Sequence, residues 1–104
     1  MRRRKYENYR ELCNFLKRHL PLEHPVYIRR LPVPQDRNGD CFFDGKKFHI
    51  RISNELSEDA AIHATLHECS HCLSWFKKED DHGKSFGLAY SKVYQYFLNW
   101  VAED

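Results

Sequence analysis

Apolar side chains recur at three- and four-residue steps at the start of the chain. They are Tyr6, Tyr9, Leu12, Cys13, Phe15, Leu16 and Leu20. This spacing places one apolar stripe on a first helix of about 15 residues. Pro21 and Pro25 end that helix, because proline has no amide hydrogen to donate to the preceding turn.

The next patterns have the two-residue period of strands. Val26 to Leu31 is rich in β-branched and aromatic residues, which favours a short strand. Cys41 to Phe43 and Lys46 to Ser53 flank Asp44-Gly45, a pair that accommodates the positive φ angles of a tight turn, so they predict a β-hairpin. In its second strand apolar residues alternate with polar ones, namely Phe48, Ile50 and Ile52 with Lys47, His49 and Arg51. One face of this strand is expected in the core and the other in water.

Two further helices complete the pattern. Ser57 is a candidate N-cap for a helix that continues to about Phe76, with acidic residues in its first turn. Apolar spacing from about Gly83 to Trp100 predicts a last, largely buried helix. We therefore expect an α+β fold with an N-terminal helix, a small antiparallel or mixed sheet of about three strands, a central helix and a C-terminal helix. With 104 residues, the chain fits one domain spanning 1–104.

Charge and composition indicate where the protein is located and what it can contact. No apolar run approaches the length of a membrane span or of a signal-peptide core, so we expect a cytoplasmic protein with no membrane contact. The four cysteines are then expected to be reduced. Residues 1–20 hold seven basic and two acidic side chains, although the net charge of the whole chain is only +2. This segment is a candidate nucleic-acid contact, with a solvated helix face as the simpler alternative.

The central helix carries a metal-binding motif. His67 and His71 are four residues apart, so their imidazoles project from the same helical face and can bind one ion. Glu68 follows the first histidine, which places its carboxylate beside the metal as a general base for a zinc-activated water. The pattern therefore predicts one Zn²⁺ ion and hydrolytic chemistry.

A catalytic zinc needs three protein ligands and one open position. His82 is the best candidate for the third ligand, because ten intervening residues let the central helix end and another element begin. Glu79 is its main rival. Asp80 and Asp81 are candidates for a ligand or for a group that orients a histidine, and a solvated acidic turn is the simpler interpretation. The long metzincin pattern is excluded, because Ser74 and Lys77 occupy its glycine and histidine positions.

Other reactive residues near the motif have simpler explanations. His63 lies on the same helical face one turn earlier, and packing or solvent exposure explains it better than a role in the cleft. Cys69 and Cys72 lack the second Cys-x-x-Cys pair of a zinc ribbon, so we interpret them as packing residues. Tyr90 is a candidate for stabilising a tetrahedral intermediate, although ordinary aromatic packing is the simpler interpretation.

The two motifs together, His67-Glu68-x-x-His71 and His82-Gly83-x-x-Phe86, resemble the SprT-like (Spartan-type) zinc metallopeptidase domain. The resemblance covers roughly Phe48 to Trp100. It implies a zincin-like fold in which the edge strand of a small sheet lies along the cleft, and Lys47 to Ser53 is the candidate for that strand. Family members act on proteins, in some cases proteins crosslinked to DNA. Many carry a C-terminal zinc ribbon, which we do not expect here.

Three functions follow from these residues. The first is a zinc-dependent endopeptidase that acts on a protein or peptide, with His67, His71 and His82 as ligands and Glu68 as base. The second is a zinc-stabilised binding or adaptor domain without catalysis. The third is a metal-dependent ribonuclease, which the spacing from His71 to His82 and the presence of Glu68 disfavour.

Overall fold

The computed structural model describes residues 9–77 and 83–102. These residues form helices α1 (Tyr9–His19), α2 (Glu58–Leu73) and α3 (Lys84–Ala102), and strands β1 (Val26–Leu31), β2 (Gly39–Phe43) and β3 (Phe48–Ser53). The predicted α+β class is confirmed at this level. The predicted first turn of α1, around Tyr6, lies outside the described residues. None of the three helices is long and apolar enough to cross a bilayer.

The three strands form one mixed sheet in the order β1-β3-β2. β1 runs parallel to β3, and β2 runs antiparallel to it. The prediction that Lys47 to Ser53 forms the edge strand is therefore wrong, because β3 is central. Its core-facing residues Phe48, Ile50 and Ile52 are at most 1% exposed, and the central position is the one that buries such a strand most completely.

The predicted hairpin between β2 and β3 is confirmed. Gly45 has a φ angle of 98°, a left-handed conformation that side chains with a Cβ atom disfavour. Asp44 Oδ1 accepts hydrogen bonds of 2.8 Å from the amides of both Lys46 and Lys47. Asp44 Oδ2 lies 2.8 Å from His49 Nε2, and this contact and the two amides hold the pKa of Asp44 well below its usual range.

The core lies between one face of the sheet and the three helices. β3 lies against α2, and α2 in turn packs against α3. The largest side chains that are fully buried come from every helix and from β3, and they are Leu12, Leu16, Phe48, Ile50, Ile52, Ile62, Leu66, Val93 and Trp100. Tyr27, Arg29 and His49 alternate along β1 and β3 with more buried residues and are exposed or half-buried, so in the described part of the chain the other face of the sheet is accessible to solvent.

Two half-buried polar side chains tie the helices to the sheet. Arg30 donates hydrogen bonds to the carbonyls of Ser53 at 3.1 Å and Leu56 at 2.8 Å, which secures the connection from β3 to α2. Its guanidinium also lies 5.3 Å from the ring centre of Tyr9. The Tyr9 hydroxyl lies 2.6 Å from Thr65 Oγ1, and burial raises the pKa of Tyr9. These contacts fix the position of α2, the helix that carries the histidines.

Candidate metal centre

The ends of α2 are set by two serines. Ser57 Oγ accepts a hydrogen bond of 3.2 Å from the amide of Ala60, as the predicted N-cap should. At the other end the amide of Ser74 bonds to the carbonyls of both Cys72 and Ser70, which closes the last turn. The helix therefore ends at Leu73, three residues before the predicted end at Phe76. It includes the whole motif from His67 to His71.

His67 and His71 project from the same face of α2, as their spacing predicts. Their Nε2 atoms lie 3.2 Å apart, and both side chains are half-buried. Two nitrogens this close need either a hydrogen on one of them or a cation that both can ligate. Two imidazoles bound tetrahedrally to one zinc at about 2.05 Å have nitrogens about 3.3–3.4 Å apart. The observed separation fits a shared ion.

Glu68 is buried, with 8% of its surface exposed, and it lines the same cleft as His67. A carboxylate is costly to bury away from polar groups or a metal. A buried carboxylate that lines a cleft is therefore expected of a chemical site rather than of a hydrophobic core.

The cleft has a volume of about 710 Å³. Its floor is the exposed face of α2, where Ala60 and Ala64 leave room above the histidines. One wall comes from the start of β2 and the chain before it, and the other from Phe86 and Tyr90 of α3. A cleft of this size takes a peptide segment or a small molecule.

Phe86 holds the two imidazoles from the side of α3. Its ring centre lies 5.1 Å from that of His67 and 4.5 Å from that of His71. The ring of Tyr90 lies 6.2 Å further along the helix, nearly parallel to that of Phe86. Phe86 therefore restricts both histidine side chains, and Tyr90 lines the cleft beyond it.

The candidates for a third ligand, His82 and its rivals Glu79, Asp80 and Asp81, lie outside the described residues. Within residues 9–77 and 83–102, no group of three or more His, Cys, Asp or Glu side chains is arranged to hold a metal ion. The described part of the site thus contains the pair of imidazoles, with Glu68 buried next to His67 in the chain.

Of the other residues near the motif, His63 lies in the cleft and the two cysteines lie in the core. His63 is exposed and lines the cleft. Cys69 and Cys72 are buried, 0% and 3% exposed, and face the core. Burial raises the pKa of the Cys69 thiol, and contact with Cys41 raises that of Cys72. Neutral thiols packed in this way are poor metal ligands.

Sequence reasoning missed the wall formed by Arg37, Asn38 and Gly39, which lie opposite α2. A Cβ atom on Gly39 would lie 2.6 Å from the carbonyl oxygen of Arg51, so only glycine lets β2 approach β3 this closely. Gly39 lies before the predicted strand Cys41 to Phe43, whereas β2 begins at Gly39 itself. The sequence pattern therefore gave no signal of this close backbone approach.

No family model, no curated protein and no solved structure matches the chain. The comparisons therefore assign neither a family nor a function to the cleft.

Proposed function

We propose that the protein is a zinc-dependent peptidase with a zincin-like, SprT-like active site on α2. The observation that carries this proposal is the 3.2 Å separation of His67 Nε2 and His71 Nε2, together with a cleft that is lined by His67 and by the buried Glu68. Imidazole is a usual zinc ligand, and the separation is close to that of two imidazoles bound to one ion.

His67, His71 and His82 would hold the ion. His82 is proposed as the third ligand because a catalytic zinc takes three protein ligands, and because it precedes by four residues Phe86, which contacts both imidazoles. When bound, zinc supplies Lewis acidity, which acidifies a water molecule and polarises a peptide carbonyl. Phe86 would keep the two imidazoles in their binding orientation by packing against them.

Glu68 is proposed as the general base. Its carboxylate would accept a proton from the attacking water and then donate it to the amine that leaves when the peptide bond breaks. Burial at the floor of the cleft shields this transfer from bulk water.

The substrate is proposed to lie extended beside β2. β2 pairs with β3 on one side only within the described chain, and its first residue, Gly39, lines the cleft. Main-chain hydrogen bonds to this edge would bind a peptide with little dependence on its sequence. β2 thus replaces β3 as the strand along which the substrate is expected.

Tyr90 remains a candidate for stabilising the oxyanion. It lines the cleft beyond Phe86, and its phenol is a hydrogen-bond donor of the required kind. Tyr90→Phe should lower kcat with little change in KM if the phenol acts only on the transition state. Unchanged kcat in this variant would assign Tyr90 to packing.

Glu68→Gln tests the proposal. The variant should retain one zinc per chain, measured by elemental analysis, and should lose about 100- to 10,000-fold of the cleavage of an unfolded protein, followed by mass spectrometry. Glu55→Gln is a matched control, because Glu55 is exposed in the turn after β3. Full cleavage by the Glu68 variant would refute the assignment of the base.

A chelator experiment separates the peptidase from an adaptor. If the wild-type chain cuts no unfolded protein and zinc removal lowers its melting temperature, zinc is structural, and the adaptor becomes the better interpretation. Phe86 links the histidines to α3, so metal removal is expected to loosen this packing in either case.

A further inference from the structure

The outer face of the sheet, opposite the helices, carries a row of three aromatic side chains. The strand registers place Tyr27 of β1 next to His49 of β3, and His49 next to Phe42 of β2. The residues that alternate with them, such as Phe48 and Ile50, are buried in the core. Tyr27, His49 and Phe42, here called the aromatic row, therefore cross the full width of the sheet on its solvent side.

The two rings at the ends of this row are open to solvent. Phe42 is 48% exposed and Tyr27 is 45% exposed, which is high for large aromatic residues. The ring of Phe42 lies parallel to that of His49, at 8° and 4.7 Å between centres. Because Phe42 lies on an edge strand, the ring face that points away from His49 is available to another flat group.

Cations flank the aromatic row. Lys47 Nζ lies 4.4 Å from the ring centre of Tyr27. Arg29 and Arg51 form the adjacent cross-strand pair, and Arg29 is exposed. Arg51 donates to Asp40 in a two-point ion pair. Arg29 and Lys47 have no ion-pair partner within residues 9–77 and 83–102, so both can reach an anion.

The two acidic groups of this face are already engaged. Asp40 is bound by Arg51, which holds the pKa of that carboxyl below its usual range. Asp44 is bound by His49 and by two backbone amides. Arg51 offsets the charge of Asp40, and Arg29 and Lys47 together outweigh the one remaining charge, that of Asp44, so the face is positive.

We propose that this face binds a single-stranded nucleic acid, with bases stacked on Phe42 and Tyr27 and phosphates held by Arg29 and Lys47. Exposed aromatic rings interleaved with cations are the combination that binds unpaired strands without strong sequence preference. Two strand spacings of about 4.8 Å separate Tyr27 from Phe42, which matches a short run of nucleotides. A duplex does not fit, because its bases are already stacked inside it.

The aromatic row and the proposed peptidase cleft lie on opposite sides of the sheet and share only the free edge of β2. The histidines lie on α2, which packs on the opposite face of the sheet. Binding of a single-stranded nucleic acid should therefore require neither zinc nor Glu68. Either proposal can be refuted without refuting the other. It also differs from a contact through the basic N-terminal segment.

The test uses the full chain and a fluorescein-labelled 12-residue oligothymidylate, followed by fluorescence anisotropy at 50 mM salt. Phe42→Ala and Tyr27→Ala should each weaken binding at least about 5-fold, the smallest effect expected from losing one stacked base. Arg29→Ala should weaken binding and make it less dependent on salt. Leu98→Ala and Lys92→Ala are matched controls, because both residues are exposed on α3, and they should bind within about 2-fold of the wild type.

Three results would overturn the proposal. One is the absence of oligothymidylate binding. This result refutes the proposal even if sedimentation shows that the face joins two copies of the chain. Another is wild-type binding by both aromatic variants, which would assign the contact to the basic N-terminal segment. The third is equal affinity for a 12-base-pair duplex. An equal affinity for oligouridylate would instead support the proposal, because stacking and phosphate contacts are common to both single strands.

Discussion

Gly39 occupies the tightest backbone contact described near the cleft, and replacing it with alanine should destabilise the protein. A Cβ atom at this position would lie 2.6 Å from the carbonyl oxygen of Arg51 and 2.9 Å from Cδ1 of Ile52. Contacts below 3.0 Å essentially never occur for a Cβ atom. The backbone oxygen belongs to the central strand and cannot rotate away, so β2 must shift relative to β3.

The cost of this shift is that of overpacking a well-packed site, about 1–3 kcal/mol. For a domain of this size, a loss of about 2 kcal/mol lowers the melting temperature by roughly 8–16 °C. Urea denaturation followed by far-ultraviolet circular dichroism measures the free energy of unfolding directly.

Alanine substitutions at two other glycines serve as controls, and they are expected to change the free energy of unfolding in opposite directions. Gly87 lies inside α3 with nothing within 4 Å of its added Cβ, so Gly87→Ala should stabilise the protein by about 0.5–1 kcal/mol. Gly45 also has open space around it, but its φ of 98° makes Gly45→Ala unfavourable by about 1–2 kcal/mol. If Gly39→Ala is as stable as the wild type while Gly87→Ala behaves as expected, the described approach of β2 to β3 is wrong.

Three smaller perturbations test the contacts that position α2 and the sheet. Ser57→Ala removes the N-cap of α2 and should cost about 1 kcal/mol in urea denaturation. Tyr9→Phe removes the hydroxyl bonded to Thr65 and should also cost about 1 kcal/mol. Asp40→Asn should lower stability more at pH 7 than at pH 2. The pKa of Asp40 is lowered by Arg51, so its contribution exists above about pH 4 and disappears as pH falls through the folded-state pKa.

Two of these variants have a matched control variant, and Asp40→Asn is compared with itself at a second pH. Ser91→Ala changes an exposed serine within α3 and should shift stability by less than about 0.5 kcal/mol. Tyr96→Phe removes a hydroxyl that has no hydrogen bond in the described part of the chain, and it should be close to neutral. Equal losses in a variant and its comparison would argue against the specific contact. For Asp40→Asn, an equal loss at pH 2 and pH 7 would contradict the ion pair with Arg51.

The helices and strands were largely predictable, because local periodicity and turn chemistry specify them. Asp44-Gly45 predicted the hairpin and Ser57 predicted the start of α2. The order of the strands was not predictable, because the parallel pairing of β1 with β3 is a long-range contact that periodicity does not encode. The expected edge strand was for this reason the wrong one.

The residue at which α2 ends was also not predictable from the sequence pattern. Trp75 and Phe76 continue the apolar spacing of the helix, which favoured an end at Phe76. They instead pack in the turn after Leu73, where the ring of Trp75 lies 5.7 Å from Phe48 and that of Phe76 lies 5.4 Å from Phe43. Apolar residues that leave a helix to cover the end of a sheet have the same sequence pattern as residues that extend it.

In the candidate site, the spacing of His67 and His71 was sufficient to predict that their nitrogens converge. The packing of Phe86 against both imidazoles could not be derived from periodicity, because it depends on how α3 crosses α2. The wall at Gly39 was missed because it depends on which strand lies at the edge of the sheet. The sequence thus located the chemical groups, and tertiary packing determined the shape of the cleft.

X-ray absorption at the zinc edge of the purified full chain is the most direct test of whether His67, His71 and His82 bind a single zinc ion. We predict one zinc per chain, surrounded only by nitrogen and oxygen at about 2.0–2.1 Å, with the multiple scattering of imidazole rings weakened in His71→Ala. The four cysteines make the contrary result easy to recognise. A sulfur shell at about 2.3 Å, or no zinc at all, would contradict a three-histidine centre.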